Sequence, residues 1–201
     1  CVTAPCLAKR SFDDALDFDE TLFIVIYRNF FDWARLYYIH HYLKLPANEN
    51  KTFANFLADS WATFDKNGVE ELHERNLITL EQFPSIFEAR CAKLINYLNV
   101  KQLAKNFYTV QYEKLKKNYA GIIKDIASNF NFKLKTELIN INTYNGIEGK
   151  KFEEEKLFEL SKNERTIIEE KLNFTLENKL GYESEAVRSS CDVSRTSVQQ
   201  E

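Results

Sequence analysis

The chain has 201 residues, a hydrophobic fraction of 44% and a net charge of −3, which supplies one domain with a proper core and excludes a disordered chain. The slight acidic balance argues against a general nucleic-acid binder, because such proteins carry a basic excess. No apolar run approaches the ~20 residues that span a bilayer, so no membrane segment is expected within the chain.

Breakers are few, with 5 Gly and 3 Pro against 16 Phe and 10 Tyr, which favours long helices and few tight hairpins. Residues 1–20 carry an acidic run, Asp13, Asp14, Asp17, Asp19 and Glu20, and read as a surface approach to a strand at 21–27. An apolar, β-branched run ending in polar residues is how a buried strand of an α/β protein reads. A helix is expected over 32–43, with Trp33, Leu36, Tyr37 and His40 on one face. Phe53, Phe56, Leu57 and Trp61 mark a short second helix, and 65–83 reads as a polar loop. Ser85 and Glu88 form a capping-box signature for a helix over 85–98, with Phe87, Cys91, Leu94, Ile95 and Leu98 as its apolar stripe. A second strand is expected at 107–112 and a long helix over 114–130, with Leu115, Ile122, Ile123 and Ile126 inward. Residues 134–148 are ambiguous; a final helix over 161–180 is capped by Ser161 with Glu164 and stopped by Gly181. The tail at 183–201 has no periodicity and reads as disordered.

This order predicts an α/β fold in which right-handed crossovers lay the two strands parallel with helices on the sheet faces. Two strands do not make a stable parallel sheet, and the chain opens at Cys1 and contains no Met. Both features read as a processed piece with further strands upstream, where any targeting or anchoring segment would also lie. Localisation stays open at this point, with the cytoplasm slightly favoured and a Golgi lumen expected only with an upstream anchor. Cys1, Cys6, Cys91 and Cys191 form no CxxC pair and no zinc-like spacing with His, so reduced thiols and no metal are expected.

The stretch 22–33 carries the most chemistry. Arg28 follows the first strand, at the end where open α/β sheets bind ligands, and its planar fork of N–H donors suits phosphate or sulfate. The plain alternative is a strand-end Arg paired with Asp32, which would cap the helix or orient Arg28. Arg90 and Lys93 lie on adjacent helical turns and are candidate anion contacts, or else a solvated face. Tyr112 is a strand residue whose plain reading is core packing. His40 and His41 form the only His pair and are candidate bases; His73 reads as solvated.

Tyr27-Arg28-Asn29-Phe30-Phe31-Asp32-Trp33 resembles the PAPS-dependent sulfotransferase family, where PAPS is 3′-phosphoadenosine 5′-phosphosulfate. In that family a strand ends in Arg-Asn-Pro, and Asp with an aromatic or aliphatic residue opens a helix. Three later segments look similar to the family in the same order. Phe87 to Lys93 is similar to an Arg-x-x-Lys helix of one branch, Val110 to Asn118 resembles a Tyr-Glu-Asp-Leu segment, and Leu176 to Tyr182 resembles a closing helix ending in Leu-Gly-Tyr. The resemblance implies a P-loop-like parallel sheet flanked by helices, as a partial domain over 1–182 lacking its amino-terminal strand and phosphosulfate loop. It implies transfer of a sulfuryl group from PAPS to a hydroxyl or amine of a small-molecule or glycan acceptor. Arg28 then matches the Arg on the 3′-phosphate and Tyr112 a Tyr near the adenine, while the catalytic residues would lie upstream of Cys1. The chain departs from the family at Phe30, where Pro is usual, at Lys114, where Asp is usual, and at Tyr119, where Pro is common. Leu36 stands where a second phosphate ligand, Ser, is expected; Arg35, Tyr37 and Tyr38 are the nearby donors. No Gly-rich phosphate loop occurs in the sequence. The other readings are a non-catalytic nucleotide- or partner-binding module on the same fold and a P-loop phosphotransferase relative.

Overall fold

The structure is a computed structural model, described for residues 20–45, 48–61, 75–76, 79–134 and 155–182. Two strands, β1 (Phe23–Tyr27) and β2 (Phe107–Gln111), pair in parallel with Phe23 opposite Phe107 and Tyr27 opposite Gln111. Around them stand α1 (Phe30–His40), α2 (Phe53–Ala58), α3 (Ile86–Leu103), α4 (Tyr112–Lys117), α5 (Tyr119–Asn129), α6 (Lys162–Lys171) and α7 (Phe174–Lys179). The described chain is thus helix-rich α/β with a small parallel sheet. The loop expected at 65–83 lies in large part, and the 134–148 segment and the tail almost wholly or wholly, outside the described residues.

Asparagine side chains redraw several expected boundaries. Asn29, not Asp32, caps α1, accepting from the Asp32 backbone N–H at 2.9 Å, so the helix starts at Phe30. The helix expected over 114–130 is two helices, because Asn118 takes φ −143°, ψ 56° and its side chain accepts from the Gly121 N–H. A Cβ at 121 would lie 2.3 Å from the Asn118 amide, so glycine makes room for that cap. Asn173 likewise splits the helix expected over 161–180, accepting from the Leu176 N–H to start α7. Short polar side chains compete for backbone groups in this way and favour caps over helix interiors. The Ser161–Glu164 capping box forms as expected. At Ser85 the cap accepts from Phe87 instead, while its hydroxyl donates to Glu88. Tyr112, expected in the second strand, is the first residue of α4.

The main core joins Phe30 and Ala34 of α1, Phe53, Phe56 and Leu57 of α2, Ile86, Phe87 and Ala89 of α3, and Ile168 of α6. Phe30 stacks on Phe87 with ring centroids 5.0 Å apart. The buried face of α1 is therefore rotated from the expected one: Phe30 and Ala34, one turn apart, point inward, and Trp33 and Tyr37 pack partly against them. On α3, Ile95 is exposed rather than part of the stripe, and Ile86, Ala89 and Arg90 are buried instead. A smaller cluster of Leu94, Leu176 and Leu180 joins α3 to α7, with Cys91, Tyr27 and Tyr182 against it. Parallel strands are usually covered on both faces; among the described residues Ile24 and Ile26 of β1 stay exposed.

The end of α7 is fixed by its backbone. Tyr182 N–H donates to the Glu177 carbonyl at 3.1 Å and Gly181 N–H to that of Asn178 at 2.9 Å, a Schellman closure. Gly181 sits at φ +80°, and the buried Gln111 amide donates to the Leu180 carbonyl at 2.8 Å, tying β2 to this turn. A Cβ at 181 would lie 3.2 Å from Gln111 Nε2. Gly181→Ala is expected to destabilise the fold by about 1–2 kcal/mol through left-handed backbone strain alone, read as a lower urea midpoint at constant m.

Candidate functional site

Because the strands run parallel and in register, their carboxyl ends lie side by side. Residues 28–29 leaving β1 and 112–113 leaving β2 therefore meet at one edge. Glu113 joins them. Its Oε1 accepts from the Asn29 backbone N–H at 2.9 Å and from Asn29 Nδ2 at 2.7 Å. Its Oε2 accepts from the Tyr182 hydroxyl at 2.7 Å, which also lies 3.2 Å from the Tyr27 carbonyl oxygen. Burial pushes the Glu113 carboxyl up, but these hydrogen bonds outweigh it and hold it below the usual carboxylate value. Tyr182 is raised well above an ordinary phenol by burial and by the Glu113 carboxylate.

Arg28 lies beside this junction. Its Nε is 3.7 Å from Asp32 Oδ2, and its guanidinium stands 4.6 Å over the Tyr112 ring. Asp32 also binds Arg35 at 2.6 Å, so it orients two cations rather than capping α1. A cavity of about 290 Å³ opens here, and the four residues singled out in the sequence, Arg28, Arg90, Lys93 and Tyr112, all line it. Trp33, Tyr37 and Tyr97 add aromatic walls. Lys93 Nζ lies 5.8 Å from the Tyr37 ring centroid and 5.4 Å from that of Trp61.

Arg90 differs from its companions. It is 5% exposed and donates through Nε and Nη2 to both oxygens of Glu177, at 2.9 and 3.1 Å, and through Nη2 to the Arg28 carbonyl at 2.8 Å. Glu177 is itself 2% exposed. Arg90 thus fastens α3 to α7 and to the end of β1. Nothing in local spacing ties Arg90 to a residue 87 positions away, whereas Asn29 with Asp32 three residues on is a cap pattern readable in advance.

His40 pairs with Glu155, and His41 stacks on Tyr37 at 4.6 Å; neither lines this cavity. His73, Cys1, Cys6 and Cys191 lie outside the described residues. Cys91 is a half-buried free thiol, raised by burial and by Glu177 and Glu88 nearby. A second cavity of about 510 Å³ shares Asn29, Asp32, Glu113 and Tyr182 and adds Arg35 and Arg165. No helix among the described residues is long and apolar enough to cross a membrane.

Two measurements probe the fasteners. Glu177→Ala strands a buried guanidinium and is expected to cost about 3–5 kcal/mol, whereas an Arg90→Met/Glu177→Leu pair costs less than that single change; urea melts of the three proteins decide it. A carboxylate held low by the fold contributes stability that is present above its unfolded value of about 4.3 and is lost as pH falls through the folded value. Glu113→Gln is therefore expected to destabilise at neutral pH, with the gap to wild type closing below about pH 4. In comparisons with known proteins, no family model, curated protein or solved structure matches the chain.

Proposed function

We propose that this chain carries the nucleotide end of a PAPS-dependent sulfotransferase site. One observation carries the reading. The segments whose order resembles that family, 27–33, 110–118 and 176–182, are far apart in sequence and meet at the carboxyl ends of two parallel strands through Asn29, Glu113 and Tyr182. Arg28 and Tyr112 come together at that meeting point, cation over ring, on the wall of one cavity. A volume of about 290 Å³ lies at the lower edge of the range for small-ligand sites, which suits part of a nucleotide rather than a whole one.

The chain's own residues then have separable tasks. Arg28 grips the 3′-phosphate through charge-assisted N–H donors, and Asp32 keeps its guanidinium turned toward the cavity. Tyr112 offers an apolar ring to the purine. The Arg90 bond to the Arg28 carbonyl holds the backbone that presents this Arg. When bound, PAPS supplies an activated sulfuryl group, whose sulfur gains a bond to the acceptor oxygen or nitrogen as its bond to the 5′-phosphate oxygen breaks. The proton released by the acceptor needs a base, and among the described residues no carboxylate or imidazole lines this cavity.

Leu36 in place of Ser favours a second reading, a nucleotide-binding module on the same fold without transfer chemistry. Transfer of labelled sulfate from PAPS by the full-length protein separates the two. The site itself is tested by calorimetry. An Arg–phosphate hydrogen bond is worth about 1.5–3 kcal/mol, so Arg28→Ala in the full-length protein is expected to weaken adenosine 3′,5′-bisphosphate binding at least about tenfold. Unchanged affinity removes Arg28 from the site.

A further inference from the structure

We infer that β1 is a self-pairing edge: two copies of this chain join antiparallel along it, centred on Ile24, with Glu20 of each copy opposite Arg28 of the other. The inference stands on the strand and does not rest on the nucleotide reading. The backbone shows which side of β1 is open. Phe23 N–H donates to the Asn106 carbonyl at 3.0 Å, and Phe23 lies opposite Phe107. In a parallel ladder a residue turns both its N–H and its C=O to one neighbour, and successive residues alternate. Phe23, Val25 and Tyr27 therefore face β2, and the N–H and C=O groups of Ile24 and Ile26 point off the far side. Among the described residues the sheet is β1 and β2 alone, so no strand takes up that side.

The side chains agree with the backbone. Ile24 is 48% and Ile26 53% exposed, whereas Val110, opposite Ile26 on β2, is 6% exposed. Proteins blunt an open edge with a charge, a proline or a bulge. Residues 21–27 contain no charged residue, Gly or Pro, and β1 pairs in unbroken register. The charge pattern around this run selects the occupant. Glu20 and Arg28 bound it, each four residues from Ile24. Antiparallel pairing about Ile24 sets Ile24 opposite Ile24, Leu22 opposite Ile26 and Glu20 opposite Arg28, each of the last two twice by the two-fold axis. Residues opposite one another share a face, so the exposed isoleucines form one apolar strip between two opposite-charge pairs. A shift of two residues either way loses both charge pairs, and an in-register parallel pairing sets like charges together. Glu20 is exposed, and the Arg28 side chain keeps 20% exposure. A guanidinium has five N–H donors, so Arg28 can meet Glu20 of the second copy while keeping Asp32. The product is a four-stranded sheet, a usual size where two strands alone are marginal. Because Arg28 lines the 290 Å³ cavity, pairing and anion binding draw on the same guanidinium.

Sedimentation equilibrium and amide hydrogen exchange on the full-length protein, without nucleotide, test this. The wild type is expected to pass from monomer to dimer with concentration, and the Ile24 and Ile26 amides to gain protection as it does. Glu20→Arg, Arg28→Glu and Ile24→Lys are each expected to weaken the dimer about tenfold or more. A mixture of Glu20→Arg with Arg28→Glu is expected to pair again, because opposite charges then meet across the two-fold position at both ends. Urea midpoints check that each variant is folded, and Glu20→Arg and Ile24→Lys still decide the matter if Arg28→Glu is not. A wild type that stays monomeric, a dimer that Glu20→Arg leaves unchanged, or a mixture of folded variants that does not pair overturns the inference. Protection of the Ile24 and Ile26 amides that is independent of concentration also overturns it, since another strand of the same chain then holds the edge.

Discussion

The Glu113 carboxylate is the interaction on which the rest of this structure depends. One oxygen takes two donors from Asn29 and the other takes the Tyr182 hydroxyl. The end of β1, the start of α4 and the turn after α7 are thereby joined at a single group. Asn29 is also the cap of α1, so the same side chain that binds Glu113 sets where the helix begins. Move that carboxylate and three backbone segments lose their common reference. Strand pairing alone would bring Tyr27 opposite Gln111; it would not fix the directions in which the chain leaves the two strands. Those directions decide where Arg28 and Tyr112 point.

A second fastener lies beside the first. Arg90 and Glu177 are both almost wholly removed from solvent and bonded at two points. Desolvation costs such a pair most of what its attraction returns, so its main consequence is positional rather than stabilising. The position is specific: Arg90 Nη2 also donates to the Arg28 carbonyl, and its guanidinium stands 5.1 Å over the Trp33 ring. Two carboxylates, on α4 and α7, thus hold the backbone on either side of the candidate site without lining the 290 Å³ cavity.

How much of this was legible in the sequence depends on the range of the interaction. The two strands, their parallel pairing, the Ser161–Glu164 box and the stop at Gly181 follow from local pattern and are present. Arg28, singled out by its place at a strand end, and Tyr112, singled out by the family resemblance, share a cavity. The breaks at Asn118 and Asn173 were hidden because the apolar periodicity runs on through them. Only the side-chain caps, competing with the helix for the same N–H groups, end the helices there. The rotation of α1 escaped for another reason. Ala34 looks unremarkable in an apolar count, yet at 0% exposure it is a close-packed position of the core, while the larger Leu36 is only half-buried. Glu177 as the partner of Arg90 was out of reach, since a contact between residues 87 apart leaves no trace in spacing.

The three cations around the cavity share one device with unequal results. Each stands over an aromatic face: Arg28 over Tyr112, Arg90 over Trp33, Lys93 over Tyr37 and Trp61. A ring attracts a cation by about 0.5–2 kcal/mol and leaves its charge in place, whereas a carboxylate in contact cancels most of it. Arg90 has Glu177 at hydrogen-bond distance and contributes little field. Arg28 has Asp32 at the looser distance of 3.7 Å. Among the described residues, the cavity wall carries cations and aromatic rings but no carboxylate. A space built that way favours a ligand that is flat and apolar at one end and anionic at the other. A phosphorylated nucleoside has that chemistry, and the proposed reading asks no more of this wall.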